Sequence, residues 1–147
     1  MARSQPGTGG TRPAVILLRT VPVLAVMAGI FFCSHQPGDS FHLPSPFALD
    51  KIAHFCAYFL LALTIIWCVS PGDGTKVGRV ALISFLSALL FGFSDEFHQS
   101  FIPHRSVSLM DIVADGLGGG LAAVLWSLRQ DLRDRQAALY RYFLTRI

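Results

Sequence analysis

Asp50, His54 and Tyr58 follow one another at i, i+4 and i+8, which sets three reactive side chains along one face of a helix. Asp95, Glu96 and Gln99 fall within one short stretch, and each acid shares a helical face with Gln99. Asp111 and Asp115 repeat the i, i+4 spacing and lead into Gly118 and Ala122, so that stripe begins acidic and turns small. Lys51 and Arg105 stand among these acids. An imidazole among carboxylates can act as a general base. A guanidinium can hold a phosphate or carboxylate through two parallel hydrogen bonds. The charges can equally neutralise one another, with Glu96 against Arg105 or His54 against Asp111 as structural bridges.

Familiar catalytic signatures are missing. Metal ligation by His54, Glu96 and Asp111 is chemically reasonable, but no HExxH-type spacing supports it. There is no nucleophile elbow, phosphate-binding glycine loop or Cys/His dyad, and Gly118-Gly119-Gly120 sits inside an apolar run, where it reads as packing. Cys33, Cys56 and Cys68 form no CxxC; they read as packing residues rather than a metal site, and no spacing supports the Cys33–Cys56 disulfide that their shared side would allow. No metal or cofactor is expected, no catalytic residue is assigned, and the balance leans away from an enzyme.

The elements that must position these groups are long apolar runs. Of the 147 residues, 52% are hydrophobic and only 14% charged, with mean hydropathy +0.52. That is too little charge to cover a soluble globule of this size and too apolar for disorder. A bilayer core of about 30 Å needs about 20 helical residues. Four runs qualify: Ala14–Cys33, Ile52–Val69, Val80–Phe93 and Leu109–Leu128. The third covers only about 21 Å at the helical rise, so to cross fully its helix must continue into Ser94–Gln99. The expectation is an all-α integral membrane four-helix bundle over residues 13–128. A disordered tail of residues 1–12 precedes it. A basic tail, 129–147, follows as an interfacial amphipathic helix or a frayed extension of span four.

Ten of the twelve Lys and Arg residues fall on one side of this topology, leaving Lys51 and Arg105 opposite. The positive-inside rule then places both termini in the cytoplasm. All five histidines (His35, His42, His54, His98 and His104) map to the other half, with Asp39, Asp50, Asp95, Glu96, Asp111 and Asp115. Charged groups within spans are costly unless paired or facing a cavity, so this set is the candidate site. Arg105, in the short outer loop, is the expected counter-ion. The basic residues flank apolar runs, which points to membrane lipids and away from nucleic acid as partners.

Ser34-His35-Gln36-Pro37-Gly38, then Asp50-Lys51-x-x-His54-Phe55-x-x-Tyr58, then Asp95-Glu96-x-x-Gln99-x-Phe101-x-Pro103-x-Arg105, then Asp111-x-x-x-Asp115-x-x-Gly118 resembles, in that order, the VanZ-like family. The likeness covers about residues 14–128. It implies a multi-pass protein of the bacterial cytoplasmic (inner) membrane, in a cell-envelope family named for a protein linked to resistance against the glycopeptide teicoplanin. Two departures fall inside the polar set: the family usually has Asn at the place of Asp115 and a small residue at the place of His104.

Three functions compete. In the first, Asp50, His54, Glu96, Gln99, Arg105 and Asp111 line an extracytoplasmic-side cavity that recognises a lipid-linked envelope precursor or glycopeptide-type ligand. In the second, the same pocket is an intramembrane enzyme with His54 or Glu96 as general base and Arg105 stabilising an anion. The third is a small transporter titrating Asp115 and Glu96, but no inverted repeat or broken helix supports it. Ligand recognition leads.

Overall fold

The computed structural model describes residues 13–38, 46–70 and 76–144. The tail 1–12, Asp39 and His42 lie outside the described residues. Four helices, α1 (Pro13–Ser34), α2 (Pro46–Val69), α3 (Val77–Gln99) and α4 (Leu109–Leu144), make up nearly all of what is described, with no strand among those residues. Each is long and apolar enough to cross a membrane.

The boundaries differ from the apolar runs in an instructive way. Helix α2 begins at Pro46, well before Ile52, because Asp50 and Lys51 find polar partners and need not lie outside the helix. Helix α3 runs on to Gln99, as its short apolar segment requires. Helix α4 continues unbroken past Leu128 to Leu144, so residues 129–144 extend span four, and residues 131–142 are exposed all round.

Polar contacts set the alternation of direction. Near the start of α1, Arg19 donates from Nη1 to the carbonyls of Trp67 and Ser70 at the end of α2, each at 3.2 Å, with its guanidinium 5.3 Å from the Trp67 ring centre. At the opposite end Gln99, closing α3, reaches Ser34, closing α1. The ends of α1 and α3 therefore meet the starts of α2 and α4.

Between the helices the contacts are made by small residues. Ala62, Ala88, Ala122 and Ser84 are fully buried beside Leu61. A β-carbon on Gly118 would strike the Phe55 carbonyl and the Phe59 amide, so α4 rests directly on the backbone of α2. Lipid tails are as apolar as leucine, so helices in a bilayer gain by close approach more than by hiding apolar surface. Leu17, Phe32, Leu90, Phe97 and Leu117 accordingly stay largely exposed, facing outward. Helices α2, α3 and α4 form the tight unit; α1 lies against α2 and only briefly meets α3.

Candidate functional site

Asp95, Glu96, Gln99, Asp111 and Asp115 are all buried, and all sit at the one end of the bundle where α2 and α4 begin. The i, i+4 stripe on α2 carries Asp50, His54 and Tyr58, the last two with rings nearly parallel, 2° between planes. On α4 the matching stripe brings Asp111 against Lys51 and Asp115 against His54.

The pairing differs from the one expected. Lys51, not Arg105, is the main counter-ion: its ammonium bonds Asp111 and lies 3.3 Å from Asp50 Oδ2. His54 pairs with Asp115, Nδ1 to Oδ1 at 3.0 Å, rather than with Asp111. Arg105 makes no ion pair with Glu96. It donates from Nε to the Gln36 carbonyl at 3.1 Å and from Nη2 to the Cys33 carbonyl at 3.0 Å. The reason is position: Arg105 sits in the loop beyond α3 and meets the turn that ends α1, where the Cys33 carbonyl takes only the Gln36 N–H and the Gln36 carbonyl lies past the helix. Glu96 instead accepts the Ser108 backbone N–H at Oε2, 2.7 Å away, at the start of α4. An anion there is favoured by the exposed amides of the first turn. Gln99 donates to Asp95 Oδ2 at 3.0 Å and approaches Ser34 Oγ at 3.5 Å.

A cleft of about 750 Å³ opens against this polar end. Val26, Gly29 and Ile30 of α1 and Leu49, Ala53, Ala57 and Leu60 of α2 form its apolar walls. Asp50, Lys51, His54, Tyr58, Asp95, Gln99 and Arg105 line its polar part, with Ser34, Ser106 and Ser108. Glu96, Asp111 and Asp115 do not line it; they stand behind the wall and hold Ser108, Lys51 and His54 in place. Tyr58 Oη, Glu96 Oε1 and Asp115 Oδ2 are buried with no hydrogen-bond partner among the described residues. Cys33, Cys56 and Cys68 are free thiols.

The loops complete the enclosure. Gly38 donates to the Pro103 carbonyl at 3.2 Å, and a β-carbon there would overlap the His104 carbonyl. His104 itself has φ of 58°, the left-handed region that β-carbons disfavour. His35 and His98 lie 3.2 Å apart, ring nitrogen to ring nitrogen, stacked with Phe31 on another contact between the ends of α1 and α3.

Sequence reasoning gave Ser34, Ser106 and Ser108 no place in the site and missed the whole apolar wall of the cleft. Ser108 had a legible signal, a serine directly before a helical run with an acid in its first turn. The wall had none, because Gly29, Ala53 and Ala57 look like any residues in a span.

The VanZ/LLP1 family model matches residues 16–130. A protein of the fission yeast Schizosaccharomyces pombe, itself described as uncharacterized, is 34% identical over 120 residues, covering 82% of this chain and 72% of the relative. No solved structure matches the chain. The four segments Ser34–Gly38, Asp50–Tyr58, Asp95–Arg105 and Asp111–Gly118 are the ones that interlock at the polar end, and the chain that carries them belongs to the VanZ/LLP1 family.

Proposed function

We propose that this VanZ-type membrane protein receives an amphiphile in the cleft between α1 and α2, its chain against the apolar walls and its head group at the polar end. The cleft's gradient carries this reading: apolar residues of two spans lead to a cluster of buried, oriented polar groups. Tyr58 closes the inner end of the cleft, its ring stacked on His54 and its hydroxyl buried. Arg105 lines the same space with its fork on the Cys33 and Gln36 carbonyls, leaving head-group selection to Lys51, His54, Asp50 and the serines. The resemblance makes a lipid-linked envelope precursor or a glycopeptide a ligand of interest, and the bacterial inner membrane with both termini cytoplasmic the setting. A relative in a yeast favours a membrane lipid over an antibiotic as the ligand common to the family.

Gly29 supplies the test. It faces the cleft, and a β-carbon there meets nothing within 4 Å. Gly29→Trp should insert and purify as the wild type does while losing the lipid that native mass spectrometry finds on the wild-type chain. Retention of the same lipid by Gly29→Trp would reject the cleft as its site.

One observation favours a second reading, an intramembrane enzyme. Asp115 holds the His54 ring by Nδ1, which turns Nε2 towards Asp50 and the cleft, as a general base requires. Turnover of a bound lipid by the wild type, lost in His54→Gln even at lipid levels that saturate the variant, would establish it.

A further inference from the structure

We propose that Asp50, His54 and Asp111 form a divalent-cation site at the polar end of the cleft, with Lys51 as the built-in competitor for it. Each of the three offers one donor atom, and these atoms lie within 4.8 Å of one another. Two come from one face of α2 and the third from the first turn of α4, so the set is held by two rigid elements packed backbone to backbone. Donors about 2.1 Å from a metal stand about 3 Å apart when adjacent, so closure needs small rotations of the three side chains and the departure of the Lys51 ammonium from between the two aspartates.

The groups behind the donors are arranged for the same purpose. Asp115 takes the Nδ1 side of His54 at 3.0 Å, leaving Nε2 to face Asp50 Oδ1 at 4.0 Å. A carboxylate on the far nitrogen is the usual partner of a metal-binding histidine, because it fixes the ring and makes the free nitrogen more basic. Asp115 is fully buried, and its second oxygen has no partner among the described residues. Five carboxyl groups gather at this end against two permanent cations, Lys51 and Arg105, and Arg105 is engaged with backbone carbonyls. Lys51 already places a positive charge between Asp50 and Asp111. Its ammonium ends a flexible four-carbon stem and can swing into the cleft it lines. Two carboxylates and one imidazole suit Mn²⁺ or Zn²⁺ better than a soft ion. Asp50 and His54 line the cleft, so the ion keeps open positions there. Tyr58, one turn along from His54, stacks its ring parallel to the imidazole and helps to fix it.

The experiment uses the full chain in phosphatidylcholine nanodiscs, stripped with chelator and titrated with Mn²⁺. Free Mn²⁺ is followed by its six-line electron paramagnetic resonance signal. The expected result is one ion per chain, displaced by Zn²⁺, with nitrogen modulation of the bound Mn²⁺ from an imidazole. His54→Gln should remove that modulation, Asp50→Asn should weaken binding by about tenfold or more, and Lys51→Met should tighten it. Asp111→Asn should abolish binding; where that variant does not fold, Asp50→Asn and His54→Gln decide. The absence of stoichiometric Mn²⁺ on both wild type and Lys51→Met would overturn the proposal, as would binding unchanged in both Asp50→Asn and His54→Gln. The titration needs no amphiphile. Gly29→Trp should keep the ion, so failure of the cleft reading and failure of the cation site are read separately.

Discussion

His54 Nδ1 lies 3.0 Å from Asp115 Oδ1, and this one contact joins the stripe of α2 to that of α4 deep in the bundle, with the Asp115 side chain wholly enclosed. No β-carbon fits at Gly92 beside it: the Asp115 carboxylate would lie 2.5 Å away. The pair is thus set by three helices at once, α2 and α4 by their side chains and α3 by the lack of one.

Asp115→Asn should fold, because its amide oxygen can accept the same His54 N–H. Asp115→Ala leaves a buried ring nitrogen unpaired and should lose about 1–3 kcal/mol. Thermal unfolding in detergent, followed by circular dichroism, checks this; equal melting of the two variants would remove the hydrogen bond from the account.

Gly118→Ala should separate α2 from α4 and destabilise by about 1–3 kcal/mol, as overpacking does. Gly78→Ala is the matched control, since a β-carbon there meets nothing within 4 Å. The measurement is again the melting temperature, with a drop expected in the first variant only.

Arg105→Lys keeps the charge but not the fork that spans the carbonyls of Cys33 and Gln36. One lost hydrogen bond corresponds to about 1 kcal/mol, felt locally at the end of α1. Faster amide hydrogen exchange at His35 and Gln36, with the rest of the bundle unchanged, is the expected sign. Exchange at the wild-type rate would mean that the fork does not anchor the end of α1.

Both termini are expected in the cytoplasm. A reporter active only outside the cytoplasm should be silent when fused after Ile147 and active when inserted in the segment between α1 and α2. The opposite pattern would invert the topology.

Much of this protein was legible in its residues. Long apolar runs impose helices, since in a bilayer every backbone polar group must be satisfied within its own segment. The shortness of Val80–Phe93 required α3 to carry Ser94–Gln99 into the span, and it does. The spacings Asp50–His54–Tyr58 and Asp111–Asp115–Gly118 defined the faces that meet, because helical periodicity is local. The partners were another matter. Charge alone offered Arg105 to the acids, but Arg105 belongs to a loop, and loop direction placed it on the end of α1. Lys51 took its place because α2 and α4 approach backbone to backbone at Gly118, which brings Asp111 within reach of one side chain and not another. The cleft, finally, is a property of how far α1 stands from α2, and nothing in Gly29, Ala53 or Ala57 encodes that distance: it emerges only when four helices settle on one another.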